Sequence, residues 1–260
     1  MKDMKIVSCF IILGIFLIVF FFSLYHIIIW CLDSSATNHL IYEVQDMVQT
    51  KNSNQTVTTE VLDISKYSNE ELLSVDFTNL LLKNNEVVGW IEIPHTNINY
   101  PFVQHKDNTF YLTHSFDGSY NSTGWLYLDY RNSVAFFDTN IIIYAHGRVD
   151  GTMFGSLKNV LTDDWFQKDK HIIKISTLSY NYLFEIFSAY HIKTTNDYLT
   201  TNFDDISSYQ EFLEIIKRRS MVDFSTNVST ENKIVTLSTC YNNREKMVVH
   251  GKLIKQEKRY

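Results

Sequence analysis

Three hydrophobic patterns succeed one another along the chain. From Ile6 to Leu32 nearly every side chain is apolar, broken only by Ser8, Ser23 and His26 and by the mild Cys9, Gly14 and Cys31. As a helix, that run measures about 40 Å at roughly 1.5 Å per residue, enough to cross a hydrocarbon core of about 30 Å with some tilt. Tyr25, His26 and Trp30 lie toward its far end, where amphipathic rings favour the headgroup layer. From His39 to Gln49 the apolar residues Leu40, Ile41, Val44, Met47 and Val48 recur at helical spacing, which predicts a short amphipathic helix after the apolar run. The polar stretch Lys51 to Thr59 reads as a linker. Ser68 followed by Glu70 and Glu71 has the form of an N-cap with an acidic first turn. Leu72, Leu73, Phe77, Leu80 and Leu81 then give a second helix its apolar face up to Asn84-Asn85.

From Val87 onward the pattern turns to strands. Val87 to Ile93 is one, and Gly124 to Leu128 is another, closed by the polar turn Asp129-Tyr130-Arg131-Asn132. Ile141 to Tyr144 is short, apolar and β-branched, as a strand buried on both faces should be. Further strands are expected at His171–Thr177, Tyr182–Ile192, Lys233–Thr239 and Met247–Ile254, with one clear helix at Ser208–Arg219. Many short strands and few helices predict a mainly β fold built as a closed or nearly closed barrel. With only 8 glycines and 2 prolines, Asn, Asp and Ser must carry most of the turns. The expected organisation is a terminus at 1–5, an anchor at 6–32, helices and linker at 33–85 and a β domain at 86–260.

Charge orients this arrangement. Lys2 and Lys5 flank the start of the apolar run and Asp33 is the first charge after it, so the positive-inside bias puts the N-terminus in the cytoplasm and the β domain outside. A cleaved signal peptide is the alternative, and Ser34-Ser35-Ala36 keeps it open. The apolar run exceeds a typical signal core and no clear small-x-small site follows it, which favours an uncleaved anchor. A net charge of -6 with scattered lysines leaves no basic stripe for nucleic acid. No Cys-x-x-Cys, His-Glu-x-x-His or phosphate-binding glycine loop is present, so neither a metal nor another cofactor is expected.

Of the three cysteines, Cys9 and Cys31 lie in the apolar run, leaving Cys240 unpaired in a part expected outside the cell, where cysteines usually pair. It ends an apolar strand, so its side chain is held by a sheet yet faces the rim. The next strand begins soon after Tyr241-Asn242-Asn243, which implies an antiparallel hairpin with Arg244 just across the turn. A guanidinium there can favour a thiolate and hydrogen-bond an oxyanion. A cysteine nucleophile needs a histidine, and two of the nine follow apolar strands. His250 lies about six residues down the second strand, roughly 20 Å from the turn and too far for proton transfer. His146 sits where Ile141–Ala145 gives way to the loop Gly147-Arg148-Val149-Asp150-Gly151, a usual place for catalytic groups.

Thr236-Leu237-Ser238-Thr239-Cys240 resembles the active-site strand of sortases, the Gram-positive cell-wall transpeptidases, and the class B members most of all. The similarity runs from about Phe77 to Ile254. It takes in Gly89-Trp90-Ile91, Tyr100-Pro101-Phe102-Val103-Gln104, Asp107-Asn108, Leu128-Asp129-Tyr130-Arg131-Asn132, Ile143-Tyr144-Ala145-His146, Met153-Phe154, Ile186-Phe187-Ser188 and Val248-Val249-His250-Gly251-Lys252-Leu253. The helix before the cysteine strand resembles the class B insertion.

The resemblance implies an eight-stranded sortase-type β-barrel with N-terminal helices and the triad His146, Cys240 and Arg244. It implies that Cys240 attacks a threonine carbonyl in the C-terminal sorting signal of a surface protein. Arg244 would steady the oxyanion, His146 would protonate the leaving amine, and a peptidoglycan amine would resolve the thioester. Asn108, Leu112, Tyr144 and Ser238 match positions that line the substrate groove. Two departures stand out. Ala145 replaces the usual glycine before the histidine, and the interval from Cys240 to Arg244 is several residues short. Aligned on Val248-Val249, Lys246 rather than Arg244 takes the arginine's place; lysine lacks the planar fork, which favours Arg244. A pilin-polymerising sortase, a plain cysteine peptidase and a non-catalytic binding module are the competing readings.

Overall fold

The computed structural model describes residues 2–48, 59–63, 65–135, 138–242 and 244–259. Its elements, in chain order, begin with α1 (Lys2–Asp46), β1 (Thr59–Val61), α2 (Thr78–Lys83), β2 (Val87–Glu92), β3 (Asn99–Val103) and β4 (Tyr127–Leu128). They continue with β5 (Asn140–Tyr144), α3 (Asp163–Phe166), β6 (Ile172–Thr177), β7 (Tyr180–Lys193), α4 (Ile206–Arg219), β8 (Ile234–Cys240) and β9 (Glu245–Lys258). Strand order runs β9-β7-β6-β2-β3-β4-β5-β8, and β8 pairs back onto β9, so eight strands close a barrel. β1 adds to β9 beyond the end of β8, with Thr59 opposite Glu257. Closure leaves the eight strands without a free edge along most of their length. The inward side chains, among them Ile91, Phe102, Leu126, Ile143 and Phe184, are buried in one continuous core.

The sequence pattern and the structure part company in the N-terminal third. The periodic segment from His39 is not a separate helix but the end of α1, which runs unbroken from Lys2 to Asp46. No Gly or Pro interrupts it between Leu32 and His39, and its buried Leu40, Ile41 and Val44 pack on the barrel. The stretch read as a linker lies outside the described residues except Thr59, which opens β1. Ser68 caps no helix; its hydroxyl turns back to the backbone of Ser65. The chain then runs extended past β6, with Val75 N bonded to Ser176 Oγ and Val75 O held by Arg259. A short α2 starts only at Thr78, where Asp76 Oδ1 accepts from the Thr78 amide at 2.9 Å.

α4 matches its pattern closely. Asp205 and Ser208 form a capping box, Lys217, Arg218 and Arg219 sit in the last turn, and Tyr209, Phe212, Leu213 and Ile216 are buried. These pack with Phe187 and Tyr190 of β7 and Val248 of β9 into a second apolar cluster. His250 lies at its floor, fully buried. Thr236 Oγ1 gives its one proton to Asn140 Oδ1 (2.7 Å), so it accepts from His250 Nδ1 at 2.9 Å. The opposite nitrogen, Nε2, then accepts from the Tyr190 hydroxyl at 3.0 Å. This is a neutral imidazole with both nitrogens occupied. Burial, and secondarily the charge of Arg219, push its pKa down to about 3. The consequence has a definite sign. A histidine that binds its proton only in the unfolded chain, near pH 6.5, favours unfolding as pH falls below that value, by up to about 1.4 kcal/mol per pH unit. Stability is therefore expected to fall between pH 6.5 and about 3 more steeply in the wild type than in His250→Gln, as read from melting temperatures of the full chain in detergent micelles. Parallel curves for the two proteins would refute this.

Candidate active site

Cys240 is the last residue of β8, exposed at the barrel rim and unpaired. Across the hairpin, the β8–β9 register sets Thr239 opposite Met247 and Cys240 opposite Lys246. Lys246 Nζ reaches the sulfur, at 3.3 Å from Cys240 Sγ. The expectation of an antiparallel hairpin holds, with the second strand starting two residues before the expected Met247 and Arg244 inside the turn rather than across it. Strand pairing resumes at Glu245, leaving Arg244 in the turn itself. Its backbone is pinned there: Arg244 N donates to Asn242 Oδ1 at 2.8 Å, and Arg244 O accepts from Thr194 N at 3.3 Å. Tyr241 stacks on His191 with ring centroids 4.4 Å apart, which fixes the other side of the turn. The structure thus brings Lys246, and not the exposed Arg244, to the sulfur. Spacing alone left both residues in contention, and the turn geometry separates them.

His146 reaches the site by a different route. β5 runs parallel to β8, with Ile143 beside Leu237 and Tyr144 beside Ser238. Ala145 N continues the ladder to Ser238 O at 3.4 Å, and Gly147 lies against the Cys240 backbone, so His146, between them, leaves β5 at the end of β8 that carries Cys240. Its ring is oriented from the far side by the 3-10 turn Phe110–Leu112, where Leu112 O lies 2.8 Å from His146 Nε2. A carbonyl only accepts, so Nε2 carries a proton and Nδ1 is the nitrogen free to exchange one. Close backbone approach completes the seat. Gly124, at φ +64°, leaves room for the ring, since a Cβ there would lie 3.0 Å from His146 Cδ2. His250, by contrast, faces Thr236 and is sealed in the core, as the strand distance required.

Two of the remaining sequence-derived positions, Tyr144 and Asn108, fall on one polar network. Tyr144 stacks on Tyr127 with centroids 5.2 Å apart, and its hydroxyl donates to Asp129 Oδ2 at 2.9 Å. Asn108 Nδ2 donates to the same oxygen at 3.1 Å, while Asn108 Oδ1 accepts from Tyr130 N. Arg131 closes the set with 2.9 and 2.7 Å bonds to the two oxygens of Asp129. Burial alone would raise the Asp129 carboxyl, but hydrogen bonds from Arg131 and Tyr144 outweigh it and hold its pKa below the usual range. Burial and the nearby Asp129 charge push Tyr144 well above an ordinary tyrosine, so it remains a neutral donor. Ser238 is buried and shares a 3.0 Å bond with the Tyr198 hydroxyl. Leu112 is partly exposed beside His146. Asp129, Tyr198, Gly124 and Gly147 had not been singled out from sequence. Asp129 stood in a quoted turn, but its role depends on three donors brought from separate segments.

These features define a cysteine acyl-transfer site at the rim of a closed β-barrel, and comparison with known proteins gives its family. A family model described as a sortase domain matches residues 91–254, and the chain belongs to the sortase family. It is 34% identical over 190 residues to sortase B of Staphylococcus aureus (strain NCTC 8325 / PS 47), covering 72% of this chain and 78% of that one. It is 36% identical over 180 residues to sortase B of Listeria monocytogenes serovar 1/2a (strain ATCC BAA-679 / EGD-e), covering 66% and 71%. A crystal structure of sortase B from B. anthracis superposes with a TM-score of 0.70 at 33% identity, covering 86% of this chain and 99% of that one. A Staphylococcus aureus sortase B–substrate complex superposes with a TM-score of 0.65 at 34% identity, over 69% and 84%. The protein is a sortase B-like cysteine transpeptidase.

Proposed function

We propose that the chain spans the membrane once through residues 6–32, N-terminus inside, and that Cys240, His146 and Lys246 join surface proteins to a peptidoglycan amine outside. The observation that carries the reading is the exposed Cys240 sulfur with an ammonium 3.3 Å away, on a strand whose parallel neighbour, β5, ends two residues before His146. Cys240 gives its thiol proton to His146 Nδ1, and the thiolate attacks the threonine carbonyl of a C-terminal sorting signal. The C–N bond breaks as His146 passes a proton from Nδ1 to the leaving amine, its Nε2–H still held by Leu112 O. Lys246 beside the sulfur steadies negative charge there and on the developing oxyanion, the part that the family resemblance gave to Arg244. An acceptor amine then attacks the thioester, returns its proton to His146 and releases the thiolate. The Asp129 network supports Tyr144, and with Asn108, Leu112 and Ser238 it shapes the groove for the signal peptide.

Transfer and hydrolysis are separated by one measurement. The full chain in detergent micelles is given a quenched peptide carrying an Asn-Pro-x-Thr-Asn-type signal, with and without triglycine. Triglycine should enter the product as an amide and raise turnover, and mass spectrometry without it should show the acyl group on Cys240. Cleavage at an unchanged rate, with only hydrolysed product in both cases, would make the protein a peptidase.

A further inference from the structure

Two segments seat the His146 ring, and neither is a barrel strand. The 3-10 turn Phe110–Leu112 offers Leu112 O to Nε2 at 2.8 Å, and Gly124 lies against Cδ2. Backbone bonds stitch these segments together on either side of Leu112. Trp125 N donates to Tyr111 O and Asn121 N to Thr113 O, each at 2.9 Å, and His114 bridges to Tyr120. On the Tyr111 side this frame is tied to the barrel, where the Tyr111 hydroxyl donates to Glu86 Oε2 at 2.7 Å, next to the start of β2. On the Thr113 side it is tied to α1.

The second tie runs through Asn121, which is 4% exposed. Its Oδ1 accepts from Thr123 N at 2.9 Å, fixing the turn that leads to Gly124. Its Nδ2 donates to Asp33 O (3.3 Å) and to Thr37 Oγ1 (3.2 Å). Thr37, 1% exposed, gives its one proton to Asp33 O at 2.8 Å and so is the acceptor toward Asn121. Asp33 adds a further bond, its Oδ2 accepting from Ser122 N at 3.2 Å and from the Ser122 hydroxyl. Just past His146, the Arg148 side chain reaches Ser34 and lies over the Trp30 ring. Trp30, Asp33, Ser34, Thr37, Ile41 and Val44 recur at three- and four-residue spacing and so share one face of α1. A buried amide left without partners costs more than its bonds contribute, so Asn121 holds the two segments it joins at one separation.

We infer that α1 is part of the frame of the active site: through Asn121 and Thr37 it holds the Leu112 carbonyl where His146 keeps its proton on Nε2 and presents Nδ1 to the reaction. Asn121 and Thr37 are positioning residues, since neither touches Cys240 or the His146 ring. The effect on turnover rests on the transpeptidase reading; the effect on the ring rests on the geometry alone. A carbonyl that drifts by about 1 Å releases the ring, and misplacement on that scale costs about 10²-fold when complete.

Two measurements on the full chain in detergent micelles test it. The first is steady-state cleavage of the quenched peptide by three variants on one face of α1. Thr37→Val keeps the shape of the side chain and removes its hydroxyl, Thr37→Ser restores the hydroxyl, and Val44→Ala removes buried packing two turns further along. Thr37→Val is expected to lower kcat about tenfold with KM within about twofold. Thr37→Ser is expected to return kcat to within about threefold of the wild type, and Val44→Ala to keep it within about twofold. An unchanged kcat in Thr37→Val, or an equal loss in Val44→Ala, overturns the role of the Asn121–Thr37 contact. The second reads the ring itself, by nitrogen–proton NMR of isotope-labelled histidine at mildly alkaline pH, with the His146 signals assigned by their absence from His146→Gln. The wild type is expected to show one fixed tautomer, with the proton on Nε2, and Thr37→Val the averaged pattern of two. A fixed Nε2–H tautomer in both proteins overturns the inference whatever the kinetics. If the wild type cleaves no peptide, the transpeptidase reading fails, and the tautomer result still decides whether α1 holds the ring.

Discussion

Alanine at Lys246 is expected to lower kcat/KM about 10²- to 10³-fold, the range for loss of one oxyanion donor. Alanine at Arg244 is expected to cost less than threefold, and alanine at Cys240 to leave no turnover. The argument is geometric. Cys240 and Lys246 are direct partners in the β8–β9 register, and the ammonium lies 3.3 Å from the sulfur. Arg244 is exposed, in a turn whose backbone is fixed by Asn242 and Thr194. Lysine brings a point charge with three rotatable donors, where arginine brings a planar fork. Lys246→Arg should therefore retain most activity, within about tenfold, whereas Lys246→Gln should resemble alanine, because the amide reaches but carries no charge. Steady-state kinetics on the quenched peptide, with melting temperature as a check on folding, read all five variants. Loss at Arg244→Ala with activity kept at Lys246→Ala would return the role to arginine and refute this site.

Much of this protein was legible before any coordinates. Ile141–Tyr144 and Lys233–Thr239 announced themselves as buried strands because β-branched runs of that length have few other uses in a small domain. They become β5 and β8, the parallel pair that carries His146 and Cys240. What the pattern could not carry was anything decided by a distant partner. Leu72 and Leu73 fit a helical face, yet that segment lies extended because Ser176 and Arg259 take its backbone groups at Val75. Asp33 and Ser34 read only as the first charge and the start of a short polar stretch after the apolar run, and Thr37 carried no signal. They are the face of one helix, docked on Asn121, Ser122 and Arg148. The choice between Arg244 and Lys246 hung on where a short turn ends, a matter of one residue that periodicity does not resolve. The family resemblance pointed to the strand of Cys240 and to His146, and the shortened loop is where this chain departs from it.

Gly147→Ala is expected to lower kcat/KM by at least about 10²-fold while the protein stays folded. Gly147 follows His146 and bridges to Met153, which closes the loop 147–153 against the barrel. A Cβ at Gly147 would lie 2.0 Å from Cys240 O and 3.0 Å from Thr239 Oγ1. The first contact is with backbone, so the side chain cannot rotate out of the way; β5's end and β8's end must separate. That separation moves His146 relative to Cys240, and a displacement near 1 Å of a reacting group costs about 10²-fold. The global penalty is smaller, about 1–3 kcal/mol for overpacking at one site, because the barrel is closed elsewhere by seven other strand pairings. Two readouts separate the local effect from a general one. The melting temperature should drop by only a few degrees, and alkylation of Cys240 by a small neutral reagent should persist, since the thiol stays exposed. Peptide cleavage should fail at the acylation step, with no acyl-enzyme detected. Activity within fivefold of wild type would mean that the loop after His146 yields without moving it, and that the close approach at Gly147 is incidental to catalysis.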